Sequence, residues 1–173
     1  GTVRLALAML AASENSRTAS SRPVVPPVAR NCEADASAEL GSVAVLHGCV
    51  QTGLYGRVND ATARTLSANG YVICDARGQD CCGALHAHGG DLEGARRLAR
   101  RNIDAFEAAG TDRVAVNAAG CGAAMKEYGT LLEQDAVYAS RARAFSERVR
   151  DVTELLAVAG PRRGAEVLCS VAY

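Results

Sequence analysis

The sequence of 173 residues contains no tryptophan, and aromatic residues make up only 4% of it. Its core is therefore expected to be aliphatic, built from Ala, Val and Leu. Nineteen basic residues balance nineteen acidic ones, so no excess charge directs the chain toward nucleic acid or an anionic membrane surface. A transmembrane helix needs about 18 or more consecutive apolar residues, and the sequence has no such run, which predicts no transmembrane segment.

Two frequent enzyme signatures are missing as well. No glycine-rich phosphate loop of the G-x-x-x-x-G-K type occurs, and no Ser-His-Asp arrangement is recognisable. The seven cysteines are an odd number, whereas secreted disulfide frameworks are usually even in number and shorter in chain. Free thiols and metal ligands in a reducing cytoplasm are therefore favoured.

The chain is predicted to have two parts. Residues 1–40 hold the end of a preceding helical segment and a linker, since Pro23, Pro26 and Pro27 forbid a regular helix. The start of the chain is apolar but short, has no convincing signal-peptide cleavage region and does not begin with Met, so we expect the cut end of a longer chain. Residues 41–173 alternate between strand and helix patterns.

This alternation predicts an α/β domain with a parallel sheet of about four strands flanked by helices. The predicted strands cover residues 43–49, 71–74, 113–117 and 166–172. The predicted helices cover residues 55–68, 92–109, 121–132 and 136–159. In such a sheet, sites form outside the carboxyl ends of the strands.

Four cysteines lie just after predicted strands. They form the pattern C-x31-C-C-G-x37-C, made by Cys49, the adjacent pair Cys81 and Cys82, and Cys121. Because a parallel sheet brings the three loops to one edge, we expect the four sulfurs to meet. Thiolates in this number are the usual ligands of iron–sulfur clusters.

Local sequence supports the same chemistry. Cys121 is predicted at the start of a helix, whose free N–H groups and dipole favour the thiolate. Glycines flank the cysteines and allow the backbone to approach a bulky cluster and donate N–H groups to it. Two alternatives remain open: a structural zinc ion held by four thiolates, and metal-free thiol chemistry through a disulfide between Cys81 and Cys82, or reduction of a disulfide substrate with Cys121.

The remaining cysteines are predicted to lie outside the site. Cys74 and Cys169 fall in strands and are expected to pack as small apolar side chains, and Cys32 falls in the linker. Three histidines are further candidates. His47 could donate a hydrogen bond to the site, and His86 and His88 could act as ligands or transfer protons. Lys126 and Tyr128 are expected to be surface or packing residues.

Four segments carry a resemblance to a known family. They are HGCVQ at 47–51, CCGALHAHGG at 81–90, NIDAFEAAG at 102–110 and NAAGCGAAMKEYG at 117–129. Together, residues 43–135 resemble one copy of the CCG cysteine-rich repeat. This repeat occurs in heterodisulfide reductase subunits, in lactate-utilisation proteins and in the iron–sulfur subunits of glycolate oxidase, which this sequence resembles most strongly.

The resemblance implies a function. In that family a flavin subunit oxidises a 2-hydroxy acid, and the iron–sulfur subunit carries the electrons onward. It implies that Cys49, Cys81, Cys82 and Cys121 hold an iron–sulfur cluster of the 4Fe-4S type, and that the partners are flavin-containing oxidase subunits and an electron acceptor. The protein would then be cytoplasmic, with contact to the inner membrane only through its partners, and this piece alone would not be catalytic.

The sequence also departs from the family pattern. Ala118 stands where many relatives have the first cysteine of a C-x-x-C pair, which argues against a five-cysteine noncubane cluster. The close-packed C-x-x-C-x-x-C run and the second CCG repeat are absent from this sequence. We therefore expect a fragment that holds one repeat.

Overall fold

The structure is a computed structural model that describes residues 40–164. The predicted linker, Cys32, Cys169 and the predicted strand at 166–172 lie outside the described residues. Residues 40–164 contain the central sheet and the helices that flank it.

Four strands form one sheet. They are β1 (Ser42–Val45), β2 (Val72–Cys74), β3 (Arg113–Val116) and β4 (Val149–Asp151). Their order in the sheet is β2-β1-β3-β4, and every pair is parallel. The predicted α/β fold with a four-stranded parallel sheet is confirmed.

Eight helices lie within the described residues. They are α1 (Cys49–Leu54), α2 (Gly56–Ala68), α3 (Ala84–His88), α4 (Leu92–Ala108), α5 (Ala119–Lys126), α6 (Tyr128–Leu131), α7 (Ala139–Ser146) and α8 (Val152–Ala159). The predicted helices at α2 and α4 are confirmed. The side chain of Asp91 caps α4 by accepting a hydrogen bond from the Gly94 amide at 2.8 Å. In residues 40–164 no helix combines the length and the apolar character that a membrane crossing requires.

The long helix predicted at 136–159 is wrong. The chain leaves α7 after Ser146 and enters β4, where Val149 is fully buried and pairs with Val114 of β3. Asp151 then starts α8 through a capping box with Glu154. Burial in the sheet therefore overrides the helical pattern at these three residues.

Two other predicted boundaries shift. Strand β1 ends at Val45 rather than at residue 49, because Gly48 has a φ of 67° and turns the chain into α1. Cys49 is consequently the first residue of a helix. The helix predicted at 121–132 begins at Ala119 and is interrupted at Glu127.

The sheet separates two hydrophobic cores. Alternate residues of β1 and β3 face opposite sides, so both faces of the two central strands are buried. The first core contains Ala44, Ile103, Phe106, Val114, Val116, Met125, Tyr128, Phe145 and Val149. The second core contains Val43, Val45, Leu66, Tyr71, Ile73, Ala115 and Leu155.

The first core is less aliphatic than expected. Phe106 and Phe145 make an edge-to-face contact with ring centroids 5.8 Å apart. The ring of Tyr128 stacks on Phe145 at 5.5 Å. The chain has few aromatic residues, but three of them form one continuous group beneath the cysteine-bearing edge.

Candidate metal centre

The strand order creates a crevice at the carboxyl edge of the sheet. From β1 the chain moves outward to β2 and then returns to the other side of β1 to form β3. The loops after β1 and β3 therefore diverge, which is the topological switch point where α/β sheets bind ligands. Cys49 and Cys121 follow these two strands. The third loop, after β2, carries Cys81 and Cys82.

The four sulfurs are neighbours at this edge. The Sγ atoms of Cys49 and Cys81 are 3.3 Å apart. The thiol of Cys82 forms side-chain hydrogen bonds with Cys121 and with Cys81. All four are free cysteines; Cys49 is exposed, Cys82 is only 3% exposed, and Cys81 and Cys121 are intermediate. The fold thus gathers thiols from three loops, while their role as ligands stays a prediction.

Contact between the thiols changes their acidity. The hydrogen bond between Cys82 and Cys121 raises the pKa of Cys82, and burial raises it further. The same hydrogen bond lowers the pKa of Cys121, because the thiol of Cys82 donates to it and stabilises its charged form. Burial and the neighbouring Cys81 raise the pKa of Cys49. The lowered pKa of Cys121 has the direction expected for a cysteine at a helix start, but its largest cause is the hydrogen bond from Cys82.

Backbone amides also point at the sulfurs. The N–H groups of Cys49 and Val50, at the start of α1, interact with the Cys49 sulfur. The N–H group of Ala84, at the start of α3, interacts with the Cys82 sulfur. These amides stabilise negative charge on the thiolates, as amides do around protein-bound sulfur centres.

Gly83 is required by the geometry of the turn that follows the paired cysteines. Its φ is 82°, in the left-handed region. A Cβ atom at this position would lie 3.3 Å from the Cα atom of Ala95 in α4. Only glycine combines this conformation with such a close approach.

The four thiols form a chain of contacts in the order Cys49, Cys81, Cys82 and Cys121. Among residues 40–164, no three or more His, Cys, Asp or Glu side chains are grouped so that they could hold one metal ion. The zinc ion and the iron–sulfur cluster therefore both stay predictions for this edge.

Comparison with known proteins places this edge in a family. Residues 43–126 match the model of the CCG family, described as a cysteine-rich domain. This part of the chain is therefore similar to CCG cysteine-rich domains. No solved structure matches the chain.

Three curated relatives have informative names. The chain is 40% identical over 114 residues to the probable glycolate oxidase iron-sulfur subunit of Bacillus subtilis, covering 66% of this chain and 26% of that protein. It is 43% identical over 117 residues to the glycolate oxidase iron-sulfur subunit of Escherichia coli, covering 66% of this chain and 29% of that protein. It is 26% identical over 115 residues to lactate utilization protein A of an Exiguobacterium strain, covering 66% of this chain and 47% of that protein. The matched part thus spans about a quarter to a half of these relatives.

Two buried polar side chains contact the backbone of the paired cysteines. Asn102 in α4 donates from Nδ2 to the carbonyl oxygen of Cys81 at 2.9 Å and to the hydroxyl of Tyr128 at 3.1 Å. The Tyr128 hydroxyl donates to the carbonyl oxygen of Cys82 at 2.8 Å. The sequence predicts a surface or packing position for Tyr128 and indicates no role for Asn102. The available signal was a polar residue on the apolar side of α4, because buried amides require partners.

The loop between β1 and Cys49 is held from both sides. The backbone N–H of His47 donates to Oε1 of Gln79 at 2.7 Å, and Nε2 of Gln79 donates to the carbonyl of Val45 at 3.1 Å. Nδ2 of Asn59 in α2 donates to the carbonyl of His47 at 2.7 Å. These contacts use the backbone of His47, and the role predicted for its side chain stays a prediction.

A second amide connects the loops of the switch point. Nδ2 of Asn117, just after β3, donates to Oδ1 of Asn59 and to Oγ1 of Thr62, each at 3.0 Å. Because Asn59 also holds the His47 carbonyl, the chain leaving β3 is joined to the chain leaving β1. The Oδ1 atom of Asn117 is buried without a hydrogen-bond partner.

The other candidates occupy different positions around the edge. His86 is partly buried and its Nδ1 atom has no hydrogen-bond partner, while His88 is exposed; their predicted roles stay predictions. Nζ of Lys126 forms a surface ion pair with Glu154 at 3.0 Å. Cys74 is buried in the first core, in the packing position expected for it, but it is disulfide-bonded rather than a free thiol.

Proposed function

We propose that this chain is a cluster-binding part of an iron–sulfur electron-transfer subunit of a glycolate, or more broadly 2-hydroxy acid, oxidase complex. Cys49, Cys81, Cys82 and Cys121 are the proposed ligands of an iron–sulfur cluster of the 4Fe-4S type. The observation that carries the proposal is the meeting of four free thiols from three loops at one sheet edge. The names of the Bacillus and Escherichia relatives support the same role.

The residues at the edge fit such a group. The donors are sulfur atoms only, which suits iron–sulfur clusters, and amides already point at Cys49 and Cys82. A Cβ atom on Gly120, next to Cys121, would meet nothing within 4 Å, so the space there is open. When bound, a cluster supplies reversible one-electron transfer.

Loading the site requires the contacting sulfurs to separate. Sulfurs 3.3 Å apart leave no room for a cluster between them, so the side chains of Cys49 and Cys81 must separate. Cys49 is the exposed member of the pair and lies on α1, none of whose residues is buried. Rotation of Cys49 therefore relieves its contact with Cys81 with little disturbance of the core, while the contacts of Cys82 with Cys121 and Cys81 require movement of the more enclosed side chains.

The proposed partners follow from this role. An electron carrier needs a donor and an acceptor, so the proposal includes flavin-containing oxidase subunits and a downstream acceptor. In this assembly the chain would lie in the cytoplasm and reach the inner membrane only through other subunits. The flavin subunit would perform the oxidation of the 2-hydroxy acid.

Anaerobic reconstitution tests the proposal. The purified protein is incubated with ferrous iron and sulfide, and its iron and sulfide contents and the EPR spectrum of the reduced protein are measured. We expect both elements to bind and an EPR signal to develop. The variant Cys82→Ser should lose most of the iron because a central ligand is removed. Cys74→Ser, which breaks a disulfide bond in the first core, should retain most of the iron with some loss of stability.

Three outcomes would contradict the proposal. A folded protein that takes up no iron would exclude the cluster. About one zinc per chain without sulfide would indicate a structural zinc module. Equal loss of iron in Cys82→Ser and Cys74→Ser would show that the division into four ligand cysteines and non-ligand cysteines is wrong. If no iron binds, alkylation with and without reductant, followed by mass measurement of the peptides that contain Cys81, Cys82 and Cys121, would detect metal-free disulfide chemistry apart from the disulfide of Cys74.

A further inference from the structure

We infer that Asn102 and Tyr128 are positioning residues for the paired cysteines. Their side chains hold the backbone of Cys81 and Cys82 so that both thiols stay at the sheet edge beside Cys49 and Cys121. This inference rests on the proposed function for the identity of the bound group. The geometry that supports it belongs to the protein alone.

The contacts leave no polar atom of the Asn102 amide unused. Asn102 is fully buried and Tyr128 is 1% exposed. Oδ1 of Asn102 accepts from the Asp80 amide at 2.8 Å, and its Nδ2 donates to the carbonyl of Cys81 and to the hydroxyl of Tyr128. The Tyr128 hydroxyl then donates to the carbonyl of Cys82. Two side chains thus fix backbone groups of three consecutive residues.

These side chains project from rigid parts of the fold. Asn102 lies within the 17-residue helix α4, next to the fully buried Ile103. Tyr128 begins α6, and its ring stacks on Phe145 in the first core. The paired cysteines are therefore positioned by helices that are packed independently of the loop that carries the thiols.

The outer side of the turn has its own support. The carboxylate of Asp80 accepts from the Cys81 amide at 2.7 Å. Its other oxygen forms an ion pair with Arg101 at 2.8 Å. Arg101 and Asn102 are neighbours on α4, so one helix holds the turn from its exposed and its buried sides.

The direction of the carbonyls explains why these bonds affect the thiols. In a trans peptide the C=O and N–H groups point in opposite directions, and the described chain has no cis peptide bond. Directing the carbonyls of Cys81 and Cys82 toward Asn102 and Tyr128 fixes both peptide planes. Loss of a donor allows these planes to rotate. The Cα–Cβ bonds that carry the sulfurs then change direction.

The test compares two tyrosine-to-phenylalanine variants. Tyr128→Phe removes the hydroxyl that contacts Cys82 and keeps the ring. Tyr71→Phe is the matched control, because the buried hydroxyl of Tyr71 donates to the carbonyl of Leu155 at 2.9 Å in the second core. Both variants lose one buried hydrogen bond from a hydroxyl to a carbonyl, and Tyr128→Phe also removes the hydroxyl that accepts from Nδ2 of Asn102.

Two readouts follow the thiols. In the metal-free protein, mass spectrometry measures the alkylation rate of Cys82; in the reconstituted protein, EPR measures the signal shape and the midpoint potential. We expect Tyr128→Phe to raise the Cys82 alkylation rate about fivefold, since the hydrogen bond to the Cys82 carbonyl is lost, and to change the EPR signal and the potential. Tyr71→Phe should lower the thermal stability similarly and leave both thiol readouts unchanged. Asn102→Leu should have the larger thiol effect if it folds; if it does not, Tyr128→Phe decides.

Two results would overturn the inference. One is a Tyr128→Phe protein whose Cys82 reactivity and EPR signal match the parent protein. The other is a Tyr71→Phe protein that changes both as much as Tyr128→Phe does. Failure of the proposed function can be distinguished from failure of this inference, because the alkylation comparison needs no iron. If the protein never binds iron but shows the expected difference in alkylation, the cluster proposal is wrong and the positioning role of Asn102 and Tyr128 remains.

Discussion

The two faces of the sheet contain the same hydrogen bond in different roles. On each face a buried tyrosine donates to a backbone carbonyl: Tyr128 to Cys82 at 2.8 Å in the first core, and Tyr71 to Leu155 at 2.9 Å in the second. The first bond ends on a candidate ligand, whereas the second ends on helix α8. The comparison shows that the site is built mainly on the helices of the first face, while the second face chiefly closes the fold.

The division between the faces is not complete. Asn59 and Thr62 of α2 pack beside the second core, and through Asn117 they join the loops that follow β1 and β3. The second face therefore reaches the site through side-chain amides rather than through aromatic packing. Substitutions in three regions of the molecule test this division, and their expected effects decrease from the first core to the far edge of the sheet.

The largest effect is expected in the first core. Phe145→Ala should lower the free energy of unfolding by about 3–5 kcal/mol, and Leu66→Ala in the second core by about 2–5 kcal/mol, because each leaves a cavity. Phe145 also supports the ring of Tyr128. Only Phe145→Ala should therefore raise the alkylation rate of Cys82 under native conditions. Urea denaturation measures the free energy of unfolding, and mass spectrometry measures the alkylation rate of Cys82. If Phe145→Ala and Leu66→Ala had similar stability and equal Cys82 alkylation rates, the proposed difference between the two faces would be wrong.

A middle effect is expected for the amide that links the two loops. Asn117→Ala leaves Oδ1 of Asn59 and Oγ1 of Thr62 without their donor, at a cost of about 1–3 kcal/mol. Hydrogen exchange of the amides at residues 47–49 should become faster. The control is Asn69→Ala at the other end of α2, where the amide of Asn69 donates to the carbonyl of Thr65. If both variants accelerated exchange equally, the link through Asn117 would have no specific role.

The smallest effect is expected at the opposite edge of the sheet. The amide and hydroxyl of Ser42 donate to Oδ2 of Asp112 at 2.7 and 2.8 Å and lower the pKa of this carboxyl. A lowered pKa in the folded state gives stability that is present at neutral pH and is lost as the pH falls through that pKa. Because Asp112 is exposed, we expect Asp112→Asn to cost only about 0.5 kcal/mol at pH 7.

The pH dependence of that variant provides its own check. The difference between Asp112→Asn and the parent protein in the free energy of unfolding should shrink as the pH falls below the ordinary Asp pKa of about 3.9, and it should disappear once the pH is below the lowered pKa of the folded state. The alkylation rate of Cys82 should not change at pH 7. A difference that persisted in acid would show that the carboxylate charge is not the cause.

The sequence was sufficient for the parts of the fold with strong periodicity. The helices α2 and α4, three of the four strands and the edge that carries the cysteines follow from alternation and spacing. The strand at 149–151 was missed because three residues between two helical segments give too short a pattern, and only burial of Val149 against Val114 makes it a strand. The boundary at Cys49 was missed because it depends on the positive φ of Gly48.

The supporting residues of the site were harder to predict. Cysteines in a recognisable spacing indicate a metal or redox site directly. Asn102 and Gln79 instead contact residues far away in the sequence, and no local sequence pattern predicts such contacts. Asn102 reaches the Cys81 carbonyl across 21 positions of sequence, and Gln79 reaches Val45 across 34. The disulfide of Cys74 was missed as well, since an odd cysteine count favoured free thiols throughout.

Helix α1 forms the solvent-exposed side of the candidate site. It is six residues long, it buries none of them, and it begins at the exposed Cys49. The other three sulfurs are partly or fully enclosed by packed segments and form a cradle open on one side. Of the four proposed ligands, Cys49 is therefore the one that solvent and dissolved reagents reach most readily, and an exchange of ligands at the site would begin most easily at this cysteine.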